Sequence, residues 1–84
     1  MHDFHEADKI LKLILESAAA NKLIKVNKAV IELGRIIEHG DQITPENLKF
    51  NILLLSKNTV AEGLQLEIIS IDGAHWVLKE IEGE

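Results

Sequence analysis

Cysteine and tyrosine are absent from this 84-residue chain, and proline, methionine and tryptophan each occur once. Without cysteine there is no disulfide framework, no thiolate metal site and no cysteine nucleophile. No apolar run approaches the roughly 20 residues of a membrane span, and no basic-then-apolar secretory leader opens the chain. The expected compartment is therefore the cytoplasm, with no membrane partner. Basic residues are few: 9 Lys and Arg against 14 Asp and Glu leave a net charge of -5 and a pI near 5.3. Phosphate binding needs a basic face, so nucleic acid is not an expected partner. Ser17, Ser56 and Ser70 lack a nucleophile-elbow context, and no glycine-rich phosphate loop follows a strand. The acidic residues Glu62, Glu67, Glu80, Glu82 and Glu84 read as a solvated strand surface rather than an acid–base pair. Nothing points to an enzyme.

What is present is an ordinary globular composition, 46% apolar, in a length that makes one domain with a single modest core. Over residues 3–21, Phe4, Ala7, Ile10 or Leu11, Ile14 and Ala18 fall at steps of three and four, one face of a helix. Leu13 and Leu15 widen the stripe. Asp3 or Asp8 places negative charge near the helix start, and Asn21 can end it. In residues 25–33, Ala29, Ile31 and Leu33 alternate with Val30 and Glu32, a strand pattern that stops at Gly34. Residues 35–42 read as a partly irregular excursion. Thr44 as N-cap, Pro45 and Glu46 then announce a second helix, expected to run to about Lys57 with Asn58 closing it. Its buried side is marked by Leu48, Ile52 and Leu55 and spread by Phe50, Leu53 and Leu54.

Two more strands follow. Leu64, Leu66 and Ile68 alternate with Gln65 and Glu67, and residues 75–81 form the last. Asp72-Gly73 between them is a hairpin signal, because both central residues of a type I′ turn need positive φ. In the two-residue register Ile68 faces Val77 and Ile69 faces Trp76; a loop one residue longer reverses which side is buried. The order helix, strand, helix, strand, strand predicts an α+β domain with two helices on one face of a three-stranded sheet. Trp76, Ile69 and Ile71 are then candidates for the uncovered face and for self-association as a homodimer. The alternative is that Trp76 caps the core edge.

The start, Met1-His2-Asp3, carries the chemistry. Histidine at position 2 is too large for removal of the initiator methionine, so Met1 is expected to stay. Its α-amine, the His2 imidazole and the intervening backbone nitrogens can supply a planar nitrogen donor set. That set suits Ni(II) or Cu(II) better than tetrahedral Zn(II); the alternative is a chance terminus. His5, three residues on, offers an extra ligand or an exposed first-turn histidine. His39, with Glu38 and Asp41, is either a carboxylate–imidazole cluster or a solvated loop. His75 is an ordinary exposed strand residue.

Several segments together resemble the HypA-type family, metallochaperones that help insert nickel into hydrogenase and urease. They are Met1-His2 with an acidic residue, Val30-Ile31-Glu32-Leu33-Gly34, Pro45-Glu46-Asn47-Leu48-Lys49-Phe50, the run from Thr59 to Ile68, and Val77-Leu78-Lys79-Glu80-Ile81-Glu82. The resemblance implies that residues 1–84 are one nickel-binding domain. It also implies that Met1, His2 and Asp3 bind Ni(II) through the amine, the backbone nitrogens and the imidazole. The cargo would pass to a nickel-handling GTPase or an apo-enzyme. The family normally inserts a zinc module, held by two Cys-x-x-Cys pairs, before its last strand. Here Asp72-Gly73 stands in that place and no zinc is expected. Position 3 is Asp where the family usually has Glu. A second reading keeps the frame but drops the metal, leaving an interaction or self-association module.

Overall fold

A computed structural model describes the backbone of residues 3–38 and 41–84 and the side chains of residues 5–37 and 42–84. The elements run α1 (Asp3–Ala20), β1 (Val26–Leu33), β2 (Ile37–Glu38), β3 (Asp41–Gln42), α2 (Pro45–Leu55), β4 (Gln65–Ser70) and β5 (Trp76–Gly83). The expected α+β order is present, and the irregular excursion contains a small ladder of its own, Ile37 opposite Gln42 and Glu38 opposite Asp41. None of the described helices is long and apolar enough to cross a membrane.

Both helix ends follow local chemistry. α1 stops in a Schellman motif: the Leu23 N–H donates to the Ala18 carbonyl (2.8 Å) and the Lys22 N–H to the Ala19 carbonyl (3.1 Å). Asn21 contributes a side-chain bond to the Ser17 carbonyl, but the residue that turns the chain is Lys22, at φ 58°. At the start of α2, the Thr44 hydroxyl accepts the Asn47 N–H at 3.2 Å, and Pro45 occupies a position whose N–H would be unpaired anyway. The helix ends at Leu55, short of the expected Lys57, because Ser56 turns its buried hydroxyl back to the Leu53 carbonyl (2.8 Å). Asn58 lies in the next turn at φ 66°.

The sheet corrects the hairpin expectation. β4 and β5 are not neighbours; the strand order is β4-β1-β5, with β1 parallel to β4 and antiparallel to β5. Ile68 therefore lies opposite Ile31 rather than Val77, and Trp76 opposite Leu33 rather than Ile69. The reason lies in β1, where Ala29, Val30, Ile31 and Leu33 are all buried. Ala29, Ile31 and Leu33 face the core, while Val30, on the other face, lies between Glu67 of β4 and Glu80 of β5, as a residue of a central strand does. The 71–75 segment accordingly crosses the end of β1. Its bonds are Ile71 N–H to the Leu33 carbonyl (3.0 Å), Gly34 N–H to that of His75 (2.8 Å) and Arg35 N–H to that of Gly73 (2.8 Å).

Residues opposite one another share a face, so pairing with β1 also settles which face Trp76 occupies. Trp76 and Leu78 lie level with Leu33 and Ile31 and pack against the core, which removes Trp76 from the uncovered face. A register shift between Val30 and Ile31 leaves Lys79 as the extra residue of a bulge, after which Ile81 returns to the core side opposite Ala29. The uncovered face carries Ile69 and Val77 on either side of Glu32, and the Lys28–Glu67 ion pair (3.6 Å).

The core joins Ala7, Ile10, Leu11, Ile14 and Ala18 of α1 to Val26, Ala29, Ile31 and Leu33 of β1 and to Leu48 and Ile52 of α2. Two side chains expected to spread the buried side of α2 point outward instead: Phe50 is 65% exposed and Leu54 39%.

Candidate metal centre

α1 is the element that carries the proposed chelating start. Among its described side chains the buried stripe runs from Ala7 to Ala18 and holds the helix on the sheet. Any α-helix leaves its first four backbone N–H groups without intrahelical acceptors. The helix begins at Asp3, so the Asp3 amide falls within that unpaired set. Met1 and His2 lie outside the described residues, as does the Asp3 side chain.

One contact ties the opening of this helix to the sheet. The Trp76 indole Nε1 donates to Glu6 Oε1 at 2.8 Å, across 70 residues of sequence. The other Glu6 oxygen is 3.4 Å from Lys9 Nζ, and the Glu6 side chain is only 15% exposed. A hydrogen bond to a carboxylate in such a half-covered place contributes about 1.5–3 kcal/mol. No signal in the sequence announces this pair, because Glu6 falls outside the apolar stripe and its partner is set by tertiary packing.

The other candidates do not assemble a second centre. His5 and His75 are exposed, the latter with its ring beside Gly73. His39 lies outside the described residues, as do the side chains of Glu38 and Asp41. Among the described residues no three His, Cys, Asp or Glu side chains gather where they could hold an ion. An open concavity of about 440 Å³ lies at the opposite end of β1 from Trp76, lined by Ile24, Lys25, Asn58, Thr59, Val60 and Glu62. With one carboxylate and no imidazole it lacks a transition-metal donor set.

No family model matches the chain. Individual proteins do. It is 30% identical over 79 residues to a hydrogenase maturation factor HypA of Dechloromonas aromatica, covering 94% of this chain and 66% of that protein. It is 31% identical over 78 residues to the HypA of Azotobacter chroococcum, covering 93% and 66%. The fold matches the solution structure of the Ni metallochaperone HypA from Helicobacter pylori with a TM-score of 0.69, at 17% identity, over 95% of this chain and 72% of the other. The chain thus spans just under two thirds of the length of these curated relatives. Similar along nearly all of its own length to proteins of one name and one fold, this chain belongs to the HypA family.

Proposed function

We propose that this chain is a nickel-binding accessory protein, metallochaperone-like and non-catalytic, serving maturation of a nickel enzyme such as a nickel–iron hydrogenase. What carries the reading is the match, over 93–94% of the chain, to proteins named hydrogenase maturation factor HypA. Nickel is cargo here. Its donors are the Met1 α-amine, the backbone nitrogens of His2 and Asp3, and the His2 imidazole, with the Asp3 carboxylate nearby in sequence. Supporting this set, a helix beginning at Asp3 spends no intrahelical hydrogen bond on the Asp3 amide. Metal ligation there opposes no helical bond. Because donors must shed protons, uptake weakens as pH falls and release is favoured by acid.

The acceptor of the cargo is a nickel-handling GTPase or the apo-enzyme. With no cysteine in the chain, the 71–75 crossover takes the place of the family's zinc module, and no zinc is bound. The competing interaction-module reading placed its surface on the open sheet face around Trp76 or on a strand edge; of these, Trp76 itself packs against the core. Equilibrium dialysis of the untagged protein against Ni(II), beside His2→Ala, tests the proposal. Stoichiometric binding by the wild type and its loss in the variant are expected. Equal, negligible binding by both defeats it.

A further inference from the structure

Trp76 is the single tryptophan of the chain and the first residue of β5. It is held from two sides: in register with Leu33 on the central strand, and through its indole N–H by Glu6. Glu6 ends the first turn of α1, next to the buried Ala7. Among the described residues no other hydrogen bond or ion pair ties α1 to the sheet; the Glu6–Lys9 and Asp8–Lys12 pairs stay within the helix. Among the described residues, the Glu6–Trp76 bond is thus the one polar contact that fastens the first turn of α1 to the sheet.

We infer that Glu6 and Trp76 are positioning residues for the N-terminal nickel site, and that Trp76 reports its occupancy. The inference rests on the nickel reading above. A helix end frays unless something holds it, and a frayed first turn lets the Asp3 nitrogen wander relative to the rest of the chain. Ordering it on metal uptake then costs conformational entropy. The Glu6–Trp76 bond meets that cost in advance. The coupling is reciprocal: nickel bound through the Asp3 nitrogen favours the formed first turn and with it the Glu6 bond to the indole. Trp76 is the sole indole emitter, so the change appears directly in its fluorescence.

The experiment uses the untagged full chain and Ni(II) alone, read by dialysis and by tryptophan emission. Glu6→Leu and Trp76→Phe should each weaken nickel binding about fivefold or more. Glu6→Gln keeps an acceptor oxygen and should stay within about twofold of wild type, as should Lys9→Ala, which removes only an exposed ion pair. Ile52→Val loosens the core away from this contact; it should lower thermal stability and leave nickel affinity unchanged. That separates positioning from general destabilisation. Nickel should alter Trp76 emission in the wild type and not in Glu6→Leu; if Trp76→Phe fails to fold, Glu6→Leu decides. Wild type that binds nickel while Glu6→Leu binds equally well, or shows no nickel-dependent emission, overturns the coupling and leaves the function standing. Wild type that binds no nickel overturns both.

Discussion

Gly34 lies directly beneath the carbonyl of Gly73. Its own N–H bonds the His75 carbonyl, and a Cβ added at Gly34 would collide with the Gly73 oxygen and come within 2.8 Å of the His75 oxygen. Both obstacles are backbone, held by the bonds that carry the crossover past the end of β1, so neither can rotate away. Gly34→Ala should cost about 2 kcal/mol or more, since overpacking against fixed atoms is among the severe mutational mechanisms. Gly63→Ala makes the comparison: no atom stands within 4 Å of its would-be Cβ, and only its φ of 75° opposes alanine. That change should cost about 1 kcal/mol. Urea denaturation midpoints of the two variants check the ordering.

On α2, two large apolar residues two positions apart have opposite fates. Leu48 is fully buried while Phe50 is largely exposed. Leu48→Ala removes core contacts and leaves a cavity, which should cost about 2–5 kcal/mol. That is a large share of the roughly 5–15 kcal/mol a domain commands. Phe50→Ser should change stability by no more than about 0.5 kcal/mol. Thermal melts of both variants supply the test, and a large loss at Phe50 would contradict its placement.

Lys22 holds a left-handed conformation at the Schellman turn after α1. A β-carbon is disfavoured there, and glycine is the usual occupant of that position. Lys22→Gly should therefore stabilise the protein by about 0.5–1 kcal/mol, the relief of left-handed strain outweighing glycine's greater chain entropy. Lys22→Ala should give no such gain. Denaturant titration of the pair isolates backbone conformation from charge.

The extent to which the sequence discloses this fold follows from how local each signal is. α1 is legible because its apolar positions repeat over successive turns, and α2 because Thr44 and Pro45 are chemical markers of a helix start. Pairing is not legible in the same way. Asp72-Gly73 is a genuine turn signal, but whether the flanking strands pair with each other depends on a competitor elsewhere, β1. The apolar run of β1 is the available clue, since Val30 is buried between Ala29 and Ile31 although it points away from the core, as happens in a strand with a neighbour on each edge. The bulge at Lys79 and the inward face of Trp76 follow from that pairing, so one misread partner displaces several side chains at once. As for the site, its donors are a contiguous sequence feature, whereas the Glu6–Trp76 contact joins residues 70 apart and needs the assembled sheet.

The proposed nickel cage makes a free α-amine indispensable, and this yields a sharp prediction. One added residue before Met1 turns that amine into a peptide nitrogen and moves the terminus away from the His2 imidazole. The extension is remote in sequence from the described core positions of α1, which run from Ala7 to Ala18. The extended protein should therefore match the wild type in circular dichroism and thermal midpoint while losing the yellow d–d absorption of square-planar Ni(II). In the wild type the same band should fade as the solution is acidified, because protons compete with the metal for the nitrogens. Acid that bleaches the colour without unfolding the chain ties the loss to the donors. A band that survives the extension would place nickel on other ligands and remove Met1 from the set.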